Sequence, residues 1–168
     1  MASLFHNSLL APHEKYVGLH KMASEAGIKL LLLTGNSPDK ALFVEKCLAS
    51  VSVRPINLGK TLSAHLHRMA TPDLPMETLD FLRSMNPGRS VFLDNVEILF
   101  DNEMELNVVQ ALKGIARTRL VVVNWPGTVD AEGQELLFAG GDVLEKSFRL
   151  DSEMFVLDES GFAQPDFQ

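Results

Sequence analysis

Apolar residues fall along the chain in two alternating patterns: short unbroken runs, and stretches in which they recur every three or four positions. The run at 28–34, Ile-Lys-Leu-Leu-Leu-Leu-Thr, has the continuous apolar character of a strand buried on both faces, the signature of a parallel sheet. Ahead of it, Pro12 suits the first position of a helix carrying Val17, Leu19 and Met22, which Gly27 ends. Behind it, Ser37-Pro38-Asp39 reads as a helix start, with Ser37 as N-cap and Pro38 in the first position. Leu42, Phe43, Cys47 and Leu48 follow at helical spacing, which assigns Cys47 to the core rather than to nucleophilic chemistry.

A second strand is expected at 51–58, with Pro55 marking an edge or a start, followed by a turn at Gly59-Lys60-Thr61 and a helix lined by Leu62, Leu66 and Met69. Thr71-Pro-Asp-Leu-Pro75 interrupts that helix, and another at 76–85 stops at Asn86-Pro-Gly88. Strands at 90–94 and 120–124 flank a helix at 103–115, with Trp125-Pro-Gly127 closing the second of them. Weaker strand patterns follow at 134–139, 147–150 and 154–157, separated by Gly140-Gly141 and a short segment, and a frayed tail is expected over 159–168. Alternation of strand and helix from Ile28 to Asn124 predicts a three-layer α/β domain over 1–158, with a mostly parallel, five-stranded sheet.

Composition narrows the class. The chain's 168 residues, 46% of them hydrophobic, suit one domain with its own core. One cysteine excludes an internal disulfide and fits a reducing compartment, and the opening MASLFHNSLLAPHEKY lacks the charged and apolar blocks of a signal peptide. The longest apolar run, 30–33, is far shorter than the ~20 residues that span a bilayer, so a cytoplasmic protein without membrane contact is expected. A net charge of −7 argues against a broad phosphate-neutralising surface, and direct nucleic-acid binding is not expected. Histidines 6, 13, 20, 65 and 67 never combine with carboxylates at metal-ligand spacing, and no zinc site is expected.

Candidate chemistry gathers at strand ends. The segment Gly35-Asn36-Ser37-Pro38-Asp39-Lys40-Ala41 resembles a phosphate-binding loop, G-x-x-x-x-G-K-[ST], that has lost residues. Gly35 and Lys40 remain, one position too close; Asp39 replaces the second glycine, and Ala41 the magnesium-binding hydroxyl. Gly59-Lys60-Thr61 ends like a Walker motif, but Arg54 stands where the first glycine belongs. The strand at 90–94 ends in Asp94, the pattern of a Walker B carboxylate that would hold Mg²⁺; Asn95 takes the place of a catalytic Glu, and Glu97 lies two residues further. Asn124 closes another strand at the same edge, where open parallel sheets bind ligands, and resembles the polar sensor of AAA-type ATPases. Arg117 and Arg119 are candidates for arginine fingers acting across a subunit boundary, which would imply a homo-oligomer, or for a solvated helix end.

Leu93-Asp-Asn-Val-Glu-Ile-Leu-Phe-Asp101 and Arg117-Thr-Arg-Leu-Val-Val-Val-Asn-Trp-Pro-Gly127, with Pro55-Ile-Asn-Leu58 and a later Leu-Phe-Ala, resemble the BrxF family. These are small P-loop proteins of type 3 bacteriophage exclusion (BREX) systems, and the likeness covers roughly residues 28 to 140. It implies a P-loop NTPase-like, AAA-like fold and a role in anti-phage defence beside larger ATPase, methyltransferase and phosphatase-like components. Relatives would carry a regular loop; here the loop departs from that pattern, which disfavours ATP with Mg²⁺ as a cofactor and hydrolysis in particular. Losing one charge-assisted contact costs about 1.5–3 kcal/mol, and Asp39 repels phosphate from the helix start. Two functions are therefore carried forward: a non-hydrolysing assembly or regulatory subunit of a defence complex, and an ATP-driven switch competent only in an oligomer.

Overall fold

The computed structural model describes residues 11–51, 53–85, 90–140 and 143–164. Its centre is a six-stranded sheet in the order β2-β3-β4-β1-β8-β9, built from β1 (Leu30–Thr34), β2 (Pro55–Asn57), β3 (Val91–Asp94), β4 (Val121–Asn124), β8 (Met154–Asp158) and β9 (Ala163–Gln164). The first five run parallel; β9 alone folds back antiparallel on β8. A sixth strand thus joins the five expected, and residues 159–162, in the segment expected as a tail, form the turn that leads from β8 to it. Residues 165–168 lie outside the described residues, as do the stop at 86–88 and Gly141.

The unbroken apolar runs have a simple cause: successive side chains of a strand point to opposite faces, and here both faces are covered. Leu30 and Leu32 join Val91, Leu93, Val121, Val123 and Val156 on one side. Leu31 and Leu33 join Phe92, Val122, Phe155 and Leu157 on the other. Helices α1 (Pro12–Ser24) and α2 (Lys40–Val51) cover the second face with Tyr16, Leu19, Phe43 and Cys47. Helices α3 (Leu58–His67), α4 (Leu74–Ser84) and α5 (Val108–Ile115) cover the first with Leu58, Leu62, Leu82, Val109 and Leu112.

Three boundaries differ from expectation because side-chain caps intervene. Strand β2 ends at Asn57, whose side chain accepts the Lys60 amide at 3.0 Å and starts α3 at Leu58, so Gly59-Lys60-Thr61 forms the helix's first turn. The helix expected from Glu103 begins at Val108: Asp101 caps a 3₁₀ turn (Asn102–Met104), Glu105 takes the left-handed conformation, and Asn107 caps α5 through the Gln110 amide. Helix α2 starts at Lys40, after a turn over 38–39 in which the Ser37 hydroxyl accepts the Asp39 amide, the hydrogen bond expected of a capping Ser37.

Beyond β4 the chain forms a separate antiparallel sheet of β5 (Gly127–Val129), β6 (Glu135–Gly140) and β7 (Val143–Arg149). It is fastened to the first face by aromatic rings: Phe100 stacks on Phe138 with centroids 3.9 Å apart, and Trp125 meets Phe100 and Phe148 edge-on. Gly127 is required there, because a Cβ would overlap the Leu137 carbonyl. No helix among the described residues is long and apolar enough to cross a membrane.

Candidate functional site

Parallel strands deliver their carboxyl ends to one edge, and the loops leaving β1, β3, β4 and β8 converge there. Gly35 leaves β1 with φ +140°, a conformation closed to residues with a side chain, and its amide donates to the Gly127 carbonyl at 2.9 Å. The next residues, Asn36 to Asp39, are exposed. Beside them a cavity of about 440 Å³ is lined by Gly35, Asn36, Lys40, Pro126, Thr128 and Leu137.

Register between β1 and β8 brings a distant segment onto this loop. Thr34, fully buried, donates from its hydroxyl to Asp158 at 2.6 Å, and the Glu159 amide donates to the Thr34 carbonyl at 3.0 Å. Glu159 therefore stands directly over the turn. Its carboxylate accepts from the Ser37 amide at 2.9 Å and from the Ser37 hydroxyl. A Cβ added at Gly35 would come within 2.6 Å of the Glu159 carboxyl carbon, so glycine is needed for that close approach as well as for its φ.

Lys40, half-buried, donates to the Trp125 carbonyl. Burial lowers its pKa to about 8, against the opposing pull of Glu159, Asp158, Glu97 and Asp94. The Lys40 ammonium thus faces the carboxylates of Glu159, Asp158, Glu97 and Asp94.

At the neighbouring strand ends, Asp94 Oδ1 accepts the Asn124 side-chain amide at 3.0 Å and the Asn95 backbone amide at 2.9 Å. Asn124 Oδ1 is buried and finds no protein partner among the described residues. Asn95 lies at φ +53° and ψ +54°, a region Asn tolerates better than most residues, and its carbonyl accepts the Gly59 amide at 3.0 Å. That backbone requirement accounts for an Asn after β3. Glu97 sits exposed in the following 3₁₀ turn (Val96–Phe100).

The structure brings together Gly35, Asn36, Ser37, Lys40, Asp94, Asn95, Glu97 and Asn124. It leaves out the arginines. Arg117 and Arg119 precede β4 and so lie at the opposite end of the sheet. Arg117 is exposed, whereas Arg119 is 7% exposed and donates to the Arg83 carbonyl at 2.6 Å. Arg119 is held against this chain's own core through one guanidinium nitrogen, while its Nε and Nη1 are buried without a partner among the described residues. Gly59-Lys60-Thr61 serves as the capped first turn of α3, with the Thr61 hydroxyl donating to the Asn57 carbonyl at 3.0 Å.

Sequence reasoning missed Asp158 and Glu159, which it left at the border of a tail. Their only sequence signal was a carboxylate pair closing an apolar run, and the partner strand is more than 120 residues away. Among the described residues no group of three or more His, Cys, Asp or Glu side chains is arranged to hold a metal ion. Comparison with family models, with curated proteins and with solved structures returns no match.

Proposed function

We propose that this chain is a P-loop NTPase-like, AAA-like domain that no longer turns over nucleotide and works as an assembly or regulatory subunit of a bacterial anti-phage defence complex of the BREX type. Support for the fold comes from the parallel order β2-β3-β4-β1-β8, with the Gly35 loop, Asp94 and Asn124 at adjacent carboxyl ends. Support for the biological setting comes from the BrxF-like pieces around Asp94 and Trp125-Pro-Gly127.

One observation carries the non-hydrolysing reading: the Ser37 amide and hydroxyl, where a phosphate would sit, are occupied by Glu159 of the same chain. The other parts agree with it. Ala41 offers no hydroxyl to a Mg²⁺ ion, Asp94 Oδ1 is engaged by two donors, and Asn95 has no proton-accepting carboxylate. As arranged, these residues do not suit ATP with Mg²⁺.

The reading is tested by titrating the purified protein with ATP and Mg²⁺ in a calorimeter while following phosphate release. Neither micromolar binding nor turnover is expected. Robust turnover abolished by Lys40→Ala would overturn it. In cells, a tagged chain is expected to co-purify with other proteins of the defence system. Phage resistance should be lost when the chain is deleted yet kept in Lys40→Ala, whereas equal loss in both would favour the ATP-driven oligomeric switch.

A further inference from the structure

We propose that Glu159 is an autoinhibitory internal anion, a side chain that closes the Gly35–Lys40 loop to phosphate-bearing ligands and whose withdrawal opens it. The inference rests on reading that loop as a P-loop remnant and adds to it the residue that holds the site shut.

Closure is local to one side chain. The backbone that carries Glu159 is clamped on both sides: Asp158 accepts the Thr34 hydroxyl at 2.6 Å and the Ser160 amide at 3.0 Å, and the Asp158 amide donates to the Phe162 carbonyl at 2.8 Å. Lys15 donates to the Gly161 carbonyl at 2.8 Å, and β9 pairs with β8 beyond. The turn is thus fixed to the core, while the Glu159 carboxylate ends in an exposed pair of hydrogen bonds with Ser37. Opening requires only a change of its rotamer. In the closed arrangement it satisfies the donors an anion would use and adds a negative charge beside Asp158, so an incoming phosphate meets both competition and repulsion. Removing it frees the Ser37 amide and hydroxyl in the loop that leads to Lys40, on the side where Ser37, Asp39 and Glu159 line a cavity of about 470 Å³.

Inorganic tripolyphosphate is the probe. The chain's single tryptophan is the natural reporter, since the Trp125 carbonyl accepts from Lys40. Titrated against the parent chain, tripolyphosphate should leave the fluorescence unchanged. With Glu159→Ala it should bind on the order of tenfold or more tighter, and Lys40→Ala added to that variant should remove the gain. Glu159→Gln, which keeps one acceptor but not the charge, should fall between, and it carries the test alone if the alanine variant melts. Glu132→Ala, which deletes an exposed carboxylate in the turn between β5 and β6, controls for net charge. A folded Glu159→Ala or Glu159→Gln that gains nothing, or a gain matched by Glu132→Ala, overturns the inference and leaves the non-hydrolysing reading standing. ATP turnover by the parent chain instead overturns that reading, and with it the premise of a closed loop.

Discussion

Gly35 and Lys40 make opposite demands on the chain. At Gly35 any side chain meets both a forbidden φ of +140° and the Glu159 carboxylate, so Gly35→Ala is expected to cost about 1–3 kcal/mol in urea unfolding. Lys40 is a charge held where burial disfavours it. Its pKa falls from 10.5 to about 8 on folding, so between those values the unfolded chain binds more protons, and stability rises with pH. The cost is fully present below pH 8 and is relieved as pH climbs toward 10.5. Relative to Lys40→Met, the parent should therefore gain on the order of 2 kcal/mol between pH 7 and pH 10, measured by unfolding each at both values. A gap independent of pH would contradict the buried-cation account. Helical spacing and the burial preference of cysteine assign Cys47 to the core, and it is fully buried with its thiol pushed up to about 12 by that burial. It should react with a thiol reagent only as fast as the native protein unfolds, and a rapid stoichiometric reaction under native conditions would refute this.

At the scale of elements, the strands were readable because burial on both faces leaves no position for a polar residue. Strands β1, β3, β4 and β8 all carry such runs, and all lie within a residue or two of where the hydrophobic pattern puts them. Helix starts were less readable. Asn57 and Asn107 each compete for the role of cap with several nearby polar residues, and which one wins depends on where the preceding strand or turn releases the chain. The β5–β6–β7 sheet is attached mainly through rings, so its stability depends on them. Phe138→Ala removes the partner of Phe100 and should destabilise by about 3–5 kcal/mol. Native-state hydrogen exchange should show β6 and β7 losing protection before β1 and β4; uniform loss across both sheets would mean that the two unfold as one unit.

Across the whole molecule, the apolar periodicity determined the class of fold: buried parallel strands covered by helices on two sides, with polar residues at the strand ends. It also located the edge where Gly35, Lys40, Asp94 and Asn124 meet, because in a parallel sheet every strand ends on the same side. What only the tertiary structure decided is the content of that edge. Arg119 turned inward to the Arg83 carbonyl, while the weakly patterned end of the chain supplied the closing side chain. Such contacts depend on strand order and register, which place β8 beside β1 across more than 120 residues, and no local pattern encodes that adjacency. Sequence by itself gave a loop that resembles a phosphate site with parts missing. Folding added Glu159, because two parallel strands in register must bring their following residues together.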